Sequence, residues 1–216
     1  MPFNLSNYNR IKSFVEKNAQ NEIKIIAISK YHPIESIQEA INSGLRIFGE
    51  NRVQEAESKY LKLKEMFKDI ELHLTGPLQT NKVKNALQIF DVFQTLDREK
   101  LANEFYKHKE RLQEKKLFVQ INTGKEASKS GIYAESADDF IKYCLHDLSL
   151  PVVGLMCIPP SLENPAPHFS LLKKIAAKNN LKQLSMGMSG DYKEAVLGQA
   201  THIRIGTALF GRRDAK

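Results

Sequence analysis

The 216-residue sequence has few cysteines and no long apolar run. Its two cysteines, Cys144 and Cys157, lack both the spacing of a metal site and the context of a disulfide framework, which indicates reduced thiols in a cytoplasm. No apolar stretch approaches the ~20 residues that span a membrane. Residues 1–20 are polar and amphipathic and do not resemble a signal peptide. We therefore expect a cytoplasmic protein with no membrane partner.

Metal-ligand spacing and nucleic-acid recognition motifs are also missing. Lys and Arg total 32 against 25 Asp and Glu, a net charge of +7, which favours anionic partners. The basic residues are spread through acid-containing helical segments such as 97–116, with no aromatic-plus-basic module, so we predict no nucleic-acid partner. The six histidines suggest no metal site, and His73, inside an apolar strand, is interpreted as a barrel-wall residue.

Short apolar runs alternate with segments of helical periodicity along the whole chain. The predicted strands are 23–29, 46–50, 71–76, 91–96, 117–122, 152–158, 183–187 and 202–209. Such alternation implies parallel pairing, in an open doubly wound sheet or a closed barrel. The dinucleotide fingerprint GxGxxG is absent after the first strand, where the sequence reads SKYHPIE.

The count of eight strands therefore favours a (β/α)8 TIM barrel. No linker or low-complexity run divides the chain, so we predict one domain over residues 1–216. Only six residues follow Phe210, too few for a last outer helix. A helix around residues 5–19 is expected to fill that gap in the ring.

In such barrels, functional residues gather at the carboxyl ends of the strands. Ser185 and the pair Gly206-Thr207 follow the last two predicted strands, where Gly and Ser/Thr loops commonly bind phosphate. Taken alone, these stretches are equally consistent with tight turns. Arg204 shares a strand face with Gly206 and needs a buried partner, either a structural carboxylate or an acceptor on a ligand such as a ring nitrogen.

Lys30 ends the first predicted strand, IKIIAIS, and is the most informative single residue. A lysine among apolar neighbours has a lowered pKa and can attack a carbonyl as a neutral amine. The alternative is a strand-end lysine that extends its ammonium into solvent. A lysine that forms a Schiff base, a phosphate loop and a cation for a ring nitrogen together predict a pocket for pyridoxal 5′-phosphate (PLP).

A series of motifs then resembles the pyridoxal phosphate homeostasis family, single-domain relatives of the alanine racemase N-terminal barrel. The motifs are AISKYHP, GLRIFGENRVQEA, HLTGPLQTNK, QINTGKEASKSGI, GLMCIPP, LSMGMSGD and RIGTALFG, which span nearly the whole chain in order. The resemblance implies a fold-type-III PLP barrel without the second β domain, because the chain ends six residues after Phe210.

The resemblance also implies a set of PLP-binding residues: Lys30, Asn51, Ser185, Met186, Arg204, Gly206 and Thr207. Lys30 would form the Schiff base, and Asn51 would lie near the ring and its phenolic oxygen. Ser185, Gly206 and Thr207 would hold the phosphate, with Met186 in the same loop. Arg204 would face the pyridine nitrogen. The sequence has His32 where many members carry a second lysine, which puts any role of that lysine in cofactor transfer in doubt here.

The function that the resemblance implies is reversible PLP binding in intracellular PLP homeostasis and supply. We expect a monomer that delivers PLP to PLP-dependent apoenzymes, with no catalytic residues and no strong activity. The alternatives are a racemase-like PLP enzyme, with a base from His32, Tyr31 or a loop, and a barrel aldolase or phosphosugar enzyme that uses Lys30 without PLP.

Overall fold

Parallel strands form the centre of the computed structural model, which describes residues 2–211. Within these residues the strands are β1 (Lys24–Ile28), β2 (Ile47–Glu50), β3 (Glu71–Leu74), β4 (Val92–Leu96), β5 (Lys116–Asn122), β6 (Ile132–Tyr133), β7 (Val152–Cys157), β8 (Gln183–Ser185) and β9 (His202–Ile205). The seven barrel strands before β9 agree with the predicted segments to within two residues at each end.

The sheet closes into a barrel because β1 pairs with both β2 and β9, while β4 pairs with β5. All these pairings are parallel, and the closing register places Ile26 beside Arg204 and Ala27 beside Ile205. The predicted eight-stranded barrel is confirmed. The two-residue strand β6, which pairs with the end of β5, was not predicted.

The predicted strand 202–209 is too long and is wrong over its second half. The chain leaves the strand conformation at Gly206, with φ −112° and ψ −82°, and Thr207–Phe210 forms a short helix. Apolar runs this short do not distinguish a strand from a helix by periodicity alone.

Helices surround the barrel between successive strands. They are α1 (Leu5–Asn18), α2 (Ile34–Asn42), α3 (Val53–Met66), α4 (Val83–Ile89), α5 (Glu99–Tyr106), α6 (Ala137–Lys142), α7 (Pro165–Lys178), α8 (Tyr192–Leu197) and α9 (Thr207–Phe210). A π-helical turn, Tyr143–Asp147, continues α6. None of the helices within residues 2–211 is both long enough and apolar enough to cross a membrane.

Helix α1 fills the place in the ring that the short α9 leaves open, as predicted. The Asn4 N–H donates to the Leu209 carbonyl at 2.8 Å, and Asn7 Nδ2 donates to the Ala208 carbonyl at 2.9 Å. On its other side the ring of Phe14 contacts the ring of Tyr192 in α8, edge to face at 5.7 Å. The N-terminal helix therefore holds α9, and with it the loop after β9.

The main apolar core lies between the strands and the helices, whereas the inside of the barrel is mixed. Val92, Phe118 and Met156 form a small separate apolar cluster there. Buried polar side chains occupy the remainder of the interior: His73, Gln94, Ser185, His202 and Arg204. Among residues 2–211 no group of three or more His, Cys, Asp or Glu side chains is placed to hold a metal ion.

Candidate functional site

A pocket of about 290 Å³ opens at the carboxyl ends of β1 and β9. Five of the seven predicted site residues line it: Lys30, Asn51, Arg204, Gly206 and Thr207. Its described lining includes two cations and no carboxylate. The size is near the lower end of the roughly 300–1,000 Å³ typical of small-molecule sites. A pocket with this charge suits a small anionic ligand.

Lys30 lies two residues beyond β1, in a turn that neighbouring elements hold. The Ser29 N–H donates to the Gly49 carbonyl at 3.0 Å, and the His32 N–H donates to the Ser29 carbonyl at 3.1 Å. Tyr31 has a φ of 66°, in the left-handed region that non-glycine residues rarely adopt. Its N–H donates to Glu55 Oε1 at 2.5 Å, so α3 stabilises this strained residue beside Lys30.

A buried ionic cluster lies directly behind this turn. Lys59 of α3 donates to Glu55 Oε1 at 2.6 Å, to Glu50 Oε1 at 3.2 Å and to the Ser29 carbonyl at 3.1 Å. Ser29 Oγ donates to Glu50 Oε1 at 2.7 Å and accepts from the Tyr60 hydroxyl at 2.6 Å. The cluster therefore connects β1, β2 and α3 at the residue that precedes Lys30.

Burial sets the protonation of this cluster. Glu50 is fully buried, and burial raises its pKa to about 7 although Lys59 and the Ser29 hydroxyl act in the opposite direction. Burial alone would also raise the pKa of Glu55, but the hydrogen bonds from Lys59 and the Tyr31 N–H lower it overall. Lys59 thus pairs with one firmly ionised carboxylate and with one that titrates near neutral pH.

Arg204 is buried under the pocket and is held from two sides. Nη1 donates to Ser185 Oγ at 2.8 Å, and Nη2 donates to the Cys157 carbonyl at 2.9 Å. Burial lowers the pKa of its guanidinium, which nevertheless remains the most basic side chain in proteins. The two bonds fix the guanidinium where it can donate to an acceptor in the pocket.

A chain of hydrogen bonds continues from Ser185 through the barrel interior. Ser185 Oγ donates to Gln94 Oε1 at 2.6 Å, Gln94 Nε2 lies 2.9 Å from His73 Nδ1, and His73 Nε2 lies 2.8 Å from Glu71 Oε1. Burial lowers the pKa of His73, so its neutral ring accepts at Nδ1 and donates from Nε2. Every donor in this chain is matched by an acceptor. The chain therefore connects the Arg204 guanidinium to the Glu71 carboxylate.

The Glu71 carboxylate at the far end of the chain stays ionised. Burial alone would raise the pKa of Glu71, but the hydrogen bond from His73 and the Lys24 ammonium, 2.9 Å away, lower it overall. The interior chain thus runs from a cation at the pocket to an ion pair at the opposite end of the barrel.

Gly206 and Thr207 line the pocket beside the end of β1, together with the loop after β8. In that loop Ser189 Oγ accepts from the Ala208 N–H at 3.3 Å, and the Met188 N–H donates to Asp191 Oδ1 at 2.6 Å. The loops after β8 and β9 therefore meet at one wall that offers hydroxyl and backbone groups. This is the composition expected of a phosphate site.

Ser185 and Met186 do not line the pocket, so the position of Ser185 does not support its predicted contact with phosphate. Ser185 is the last residue of β8, faces the barrel interior and uses its hydroxyl on Gln94 and Arg204. Met186 is fully buried in the main apolar core. Ser189, four residues after Ser185, lines the pocket instead.

Asn51 lies at the boundary between this pocket and a second, larger cavity. Its Oδ1 accepts from Thr75 Oγ1 at 3.0 Å. Gly76 approaches so closely that a Cβ there would be 2.4 Å from the Asn51 carbonyl oxygen. The glycine of the HLTGP motif thus allows the loop after β3 to pack against Asn51.

Sequence reasoning missed Ser189 and the Glu50–Lys59 cluster. The loop after the seventh predicted strand entered the sequence analysis only as part of the family motif LSMGMSGD, without a role for Ser189. Glu50 carries the same signal as Lys30, an ionisable residue at the end of a buried strand, in the motif RIFGE. That signal alone was enough to single it out.

Comparisons with known proteins agree with this architecture. A profile of the family described as "Alanine racemase, N-terminal domain" matches residues 5–214. The structure of alanine racemase from Acinetobacter baumannii superposes with a TM-score of 0.74 over 95% of this chain and 61% of that chain. At 17% identity this likeness concerns the fold alone. The chain therefore belongs to the class of barrels that the alanine racemase N-terminal domain defines.

More similar relatives define the family within that class. The pyridoxal phosphate homeostasis protein of Aquifex aeolicus (strain VF5) is 40% identical over 217 residues, 94% of each chain. PipY of Synechococcus elongatus PCC7942, solved without PLP and with PLP bound, is 33% identical, with TM-scores of 0.85 and 0.82. Both superpositions cover 96% of this chain and 99% of PipY. The chain belongs to the pyridoxal phosphate homeostasis protein family.

Proposed function

We propose that this protein binds PLP reversibly, through a Schiff base to Lys30, and acts in PLP homeostasis and supply without strong catalytic activity. The observation that carries the proposal is the convergence of Lys30, Arg204 and the Gly206-Thr207 loop on one pocket of about 290 Å³. These groups come from opposite ends of the chain, and together they match the aldehyde, ring nitrogen and phosphate of PLP.

Each side chain has a separate role in this proposal. The Lys30 amine condenses with the PLP aldehyde and releases one water, and hydrolysis reverses the step. Arg204, fixed by Ser185 and the Cys157 carbonyl, donates to the ring nitrogen. Gly206 and Thr207 hold the phosphate.

Two further residues complete the assignment of the pocket. Ser189 extends the phosphate wall, and Asn51 lies on the opposite side of the pocket, toward the larger cavity. In this assignment Ser185 acts on the ligand through Arg204 rather than by direct contact.

The contacts of Arg204 support the part of the proposal that expects no strong catalytic activity. PLP supplies an aldehyde that reacts with amines and a ring that acts as an electron sink when its nitrogen is protonated. A guanidinium only donates hydrogen bonds, so Arg204 at that nitrogen opposes its protonation and weakens the sink.

The pocket is also poor in bases. Among its described lining residues, Lys30 is the one side chain that can act as a general base. Tyr31 lines the other cavity, and the His32 ring stacks on Phe210 with centroids 5.1 Å apart. Racemisation needs proton transfer on both faces of the substrate carbon, so this arrangement favours a carrier over a racemase.

The proposal treats residues 1–216 as one PLP-binding domain that is monomeric and cytoplasmic. PLP-dependent apoenzymes are the proposed recipients of the cofactor. Size-exclusion chromatography with light scattering tests the monomer. Transfer of PLP to an added apoenzyme, followed by the recovery of its activity, tests delivery.

The decisive experiment is an absorption spectrum of the purified protein with PLP, before and after borohydride reduction, followed by peptide mass mapping. We expect a Schiff-base band that borohydride removes and a phosphopyridoxyl adduct on Lys30. Lys30→Ala should lose both, while Lys125→Ala, which removes an exposed lysine of the loop after β5, should keep them. An adduct on another lysine in the wild-type protein would refute the assignment.

Catalysis is tested separately, by incubating the PLP-loaded protein with L-alanine in deuterated water. The carrier proposal predicts negligible exchange of the α-proton. Exchange at rates typical of enzymes, on the order of 1 s⁻¹ or more, would favour the racemase alternative.

A further inference from the structure

A second cavity, of about 520 Å³, adjoins the Lys30 pocket, and the two share Asn51 in their linings. It is formed at the same end of the barrel by the segments that follow β1 to β5. The proposed PLP site does not use it. We call it the basic cavity, because Arg52, Lys82 and Arg98 line it.

One carboxylate accompanies these three cations. Asp97 Oδ1 accepts from Arg98 Nη1 at 2.5 Å, while Arg98 Nη2 donates to the Leu78 carbonyl at 2.8 Å. The Arg52 guanidinium lies over the Tyr31 ring, 5.7 Å from its centre, and helps to lower the pKa of the Glu55 carboxyl. Its nitrogens make no hydrogen bond and no ion pair within 4 Å among residues 2–211. The Lys82 ammonium likewise has no such partner in the described part of the chain. Two cations in the wall are therefore available to a ligand.

The N-cap residues of two helices beside the cavity are unfavourable for helix stability but favourable for binding an anion. Arg52 and Arg98 occupy the N-cap positions of α3 and α5, and neither side chain caps its helix. Ser, Thr, Asp and Asn are the residues preferred there, because they accept from free backbone N–H groups. A cation at a helix N-terminus is also repelled by the helix dipole. An anion in the cavity would relieve both penalties at once.

We propose that the basic cavity is a second ligand site, for a small molecule that carries a phosphate or carboxylate group. The site goes beyond PLP binding, because the anion would lie next to the Lys30 pocket without occupying it. Arg52 and Lys82 supply the unpaired charge, and Arg98, oriented by Asp97, supplies the third cation. The volume leaves room for the body of a small metabolite as well as its oxyanion.

Isothermal titration calorimetry at low ionic strength tests the proposal on the full chain. Inorganic phosphate is titrated into the PLP-loaded, borohydride-reduced protein, in which the phosphate site beside Thr207 is filled. We expect one remaining site, weakened at least tenfold by Arg52→Ser or by Lys82→Gln. Lys62→Ser, which removes an exposed charge from the same helix α3, should leave the affinity unchanged within about twofold.

Thermal unfolding supplies a second readout that distinguishes a binding role from a structural one. Arg52→Ser provides a cap for α3, so without added anion its melting temperature should rise by about 2–4 °C while phosphate binding falls. Equal phosphate affinity in Arg52→Ser and wild type would overturn the proposal, as would an equal loss in Lys62→Ser.

Two further arms identify the ligand class and separate this proposal from the PLP assignment. In one arm succinate replaces phosphate. The anion whose affinity falls in Arg52→Ser identifies the group that the cavity binds, phosphate or carboxylate. If neither anion binds, the proposed site is refuted. In the other arm the protein is titrated without PLP. If PLP does not bind beside Lys30, loading will not change the number of phosphate sites, but Arg52→Ser will still remove one.

Discussion

Replacing Glu50 by glutamine separates the effect of one buried charge from the packing around it. The carboxyl is fully buried at the end of β2, with Oε1 bonded to Ser29 and Lys59. Oε2 has no hydrogen-bond partner among residues 2–211. Because Lys59 also holds the Ser29 carbonyl, the protonation of Glu50 bears on the turn that carries Lys30.

The size of the effect follows from the pKa. Burial raises the pKa of Glu50 from 4.5 to about 7. The folded state therefore favours the protonated Glu50 carboxyl, and the stability that this preference contributes is fully present below about pH 4.5. That contribution is lost as the pH rises through 7. At about 1.4 kcal/mol per pH unit, the free energy of unfolding should fall by roughly 2 to 3 kcal/mol between about pH 5 and pH 8 on account of this group.

Urea unfolding at several pH values in that range measures the effect. The wild-type protein should lose stability relative to Glu50→Gln as the pH rises, because glutamine does not ionise. Glu65→Gln, an exposed substitution on α3, controls for the loss of one carboxylate and should follow the wild-type curve. Parallel curves for wild type and Glu50→Gln would show that Glu50 does not titrate in this range, and the reasoning from burial would be wrong.

Three other substitutions test the packing and polar contacts of the site. Gly76→Ala places a Cβ 2.4 Å from a backbone oxygen and should destabilise by about 1–3 kcal/mol in urea unfolding, whereas Gly190→Ala, with open space around it, should change stability by less than about 0.5 kcal/mol. Gln94→Leu leaves the Ser185 hydroxyl without its acceptor, which should cost about 1–3 kcal/mol and shift the absorption band of bound PLP. Lys59→Met leaves two carboxylates without their shared cation and should cost about 3–5 kcal/mol at pH 8 but less at pH 5, as urea unfolding at the two pH values would show.

The barrel was predictable because every strand in it is buried on at least one face and bounded by polar segments. Segments such as 23–29 and 152–158 are short apolar runs of the kind that parallel strands covered on both faces carry. The strand β6 escaped prediction because two residues carry no periodicity. The end of β9 was placed too late because a run as short as residues 206–209 does not distinguish a strand from a helix by periodicity.

The site was predictable where it depends on the ends of strands and not where it depends on loop geometry. Lys30 and Arg204 were found because a charged residue on an apolar strand has few structural explanations. Ser185 and Ser189 are both serines in one short stretch, and only the observed end of β8 decides which of them reaches the pocket. The Lys59 contacts could not be foreseen, because they depend on how α3 packs against the barrel.

The proposed ligand would join the two ends of the chain. Lys30 follows β1 and Thr207 follows β9, and these strands become neighbours only when the barrel closes. A ligand held from both sides therefore binds the closed barrel and not the unfolded chain. At a hundred times its dissociation constant such a ligand adds about 2.7 kcal/mol to stability. Because α1 bonds to α9 through Asn4 and Asn7, the N-terminal helix supports the same seam, and conditions that loosen α1 should weaken ligand binding before the rest of the barrel unfolds.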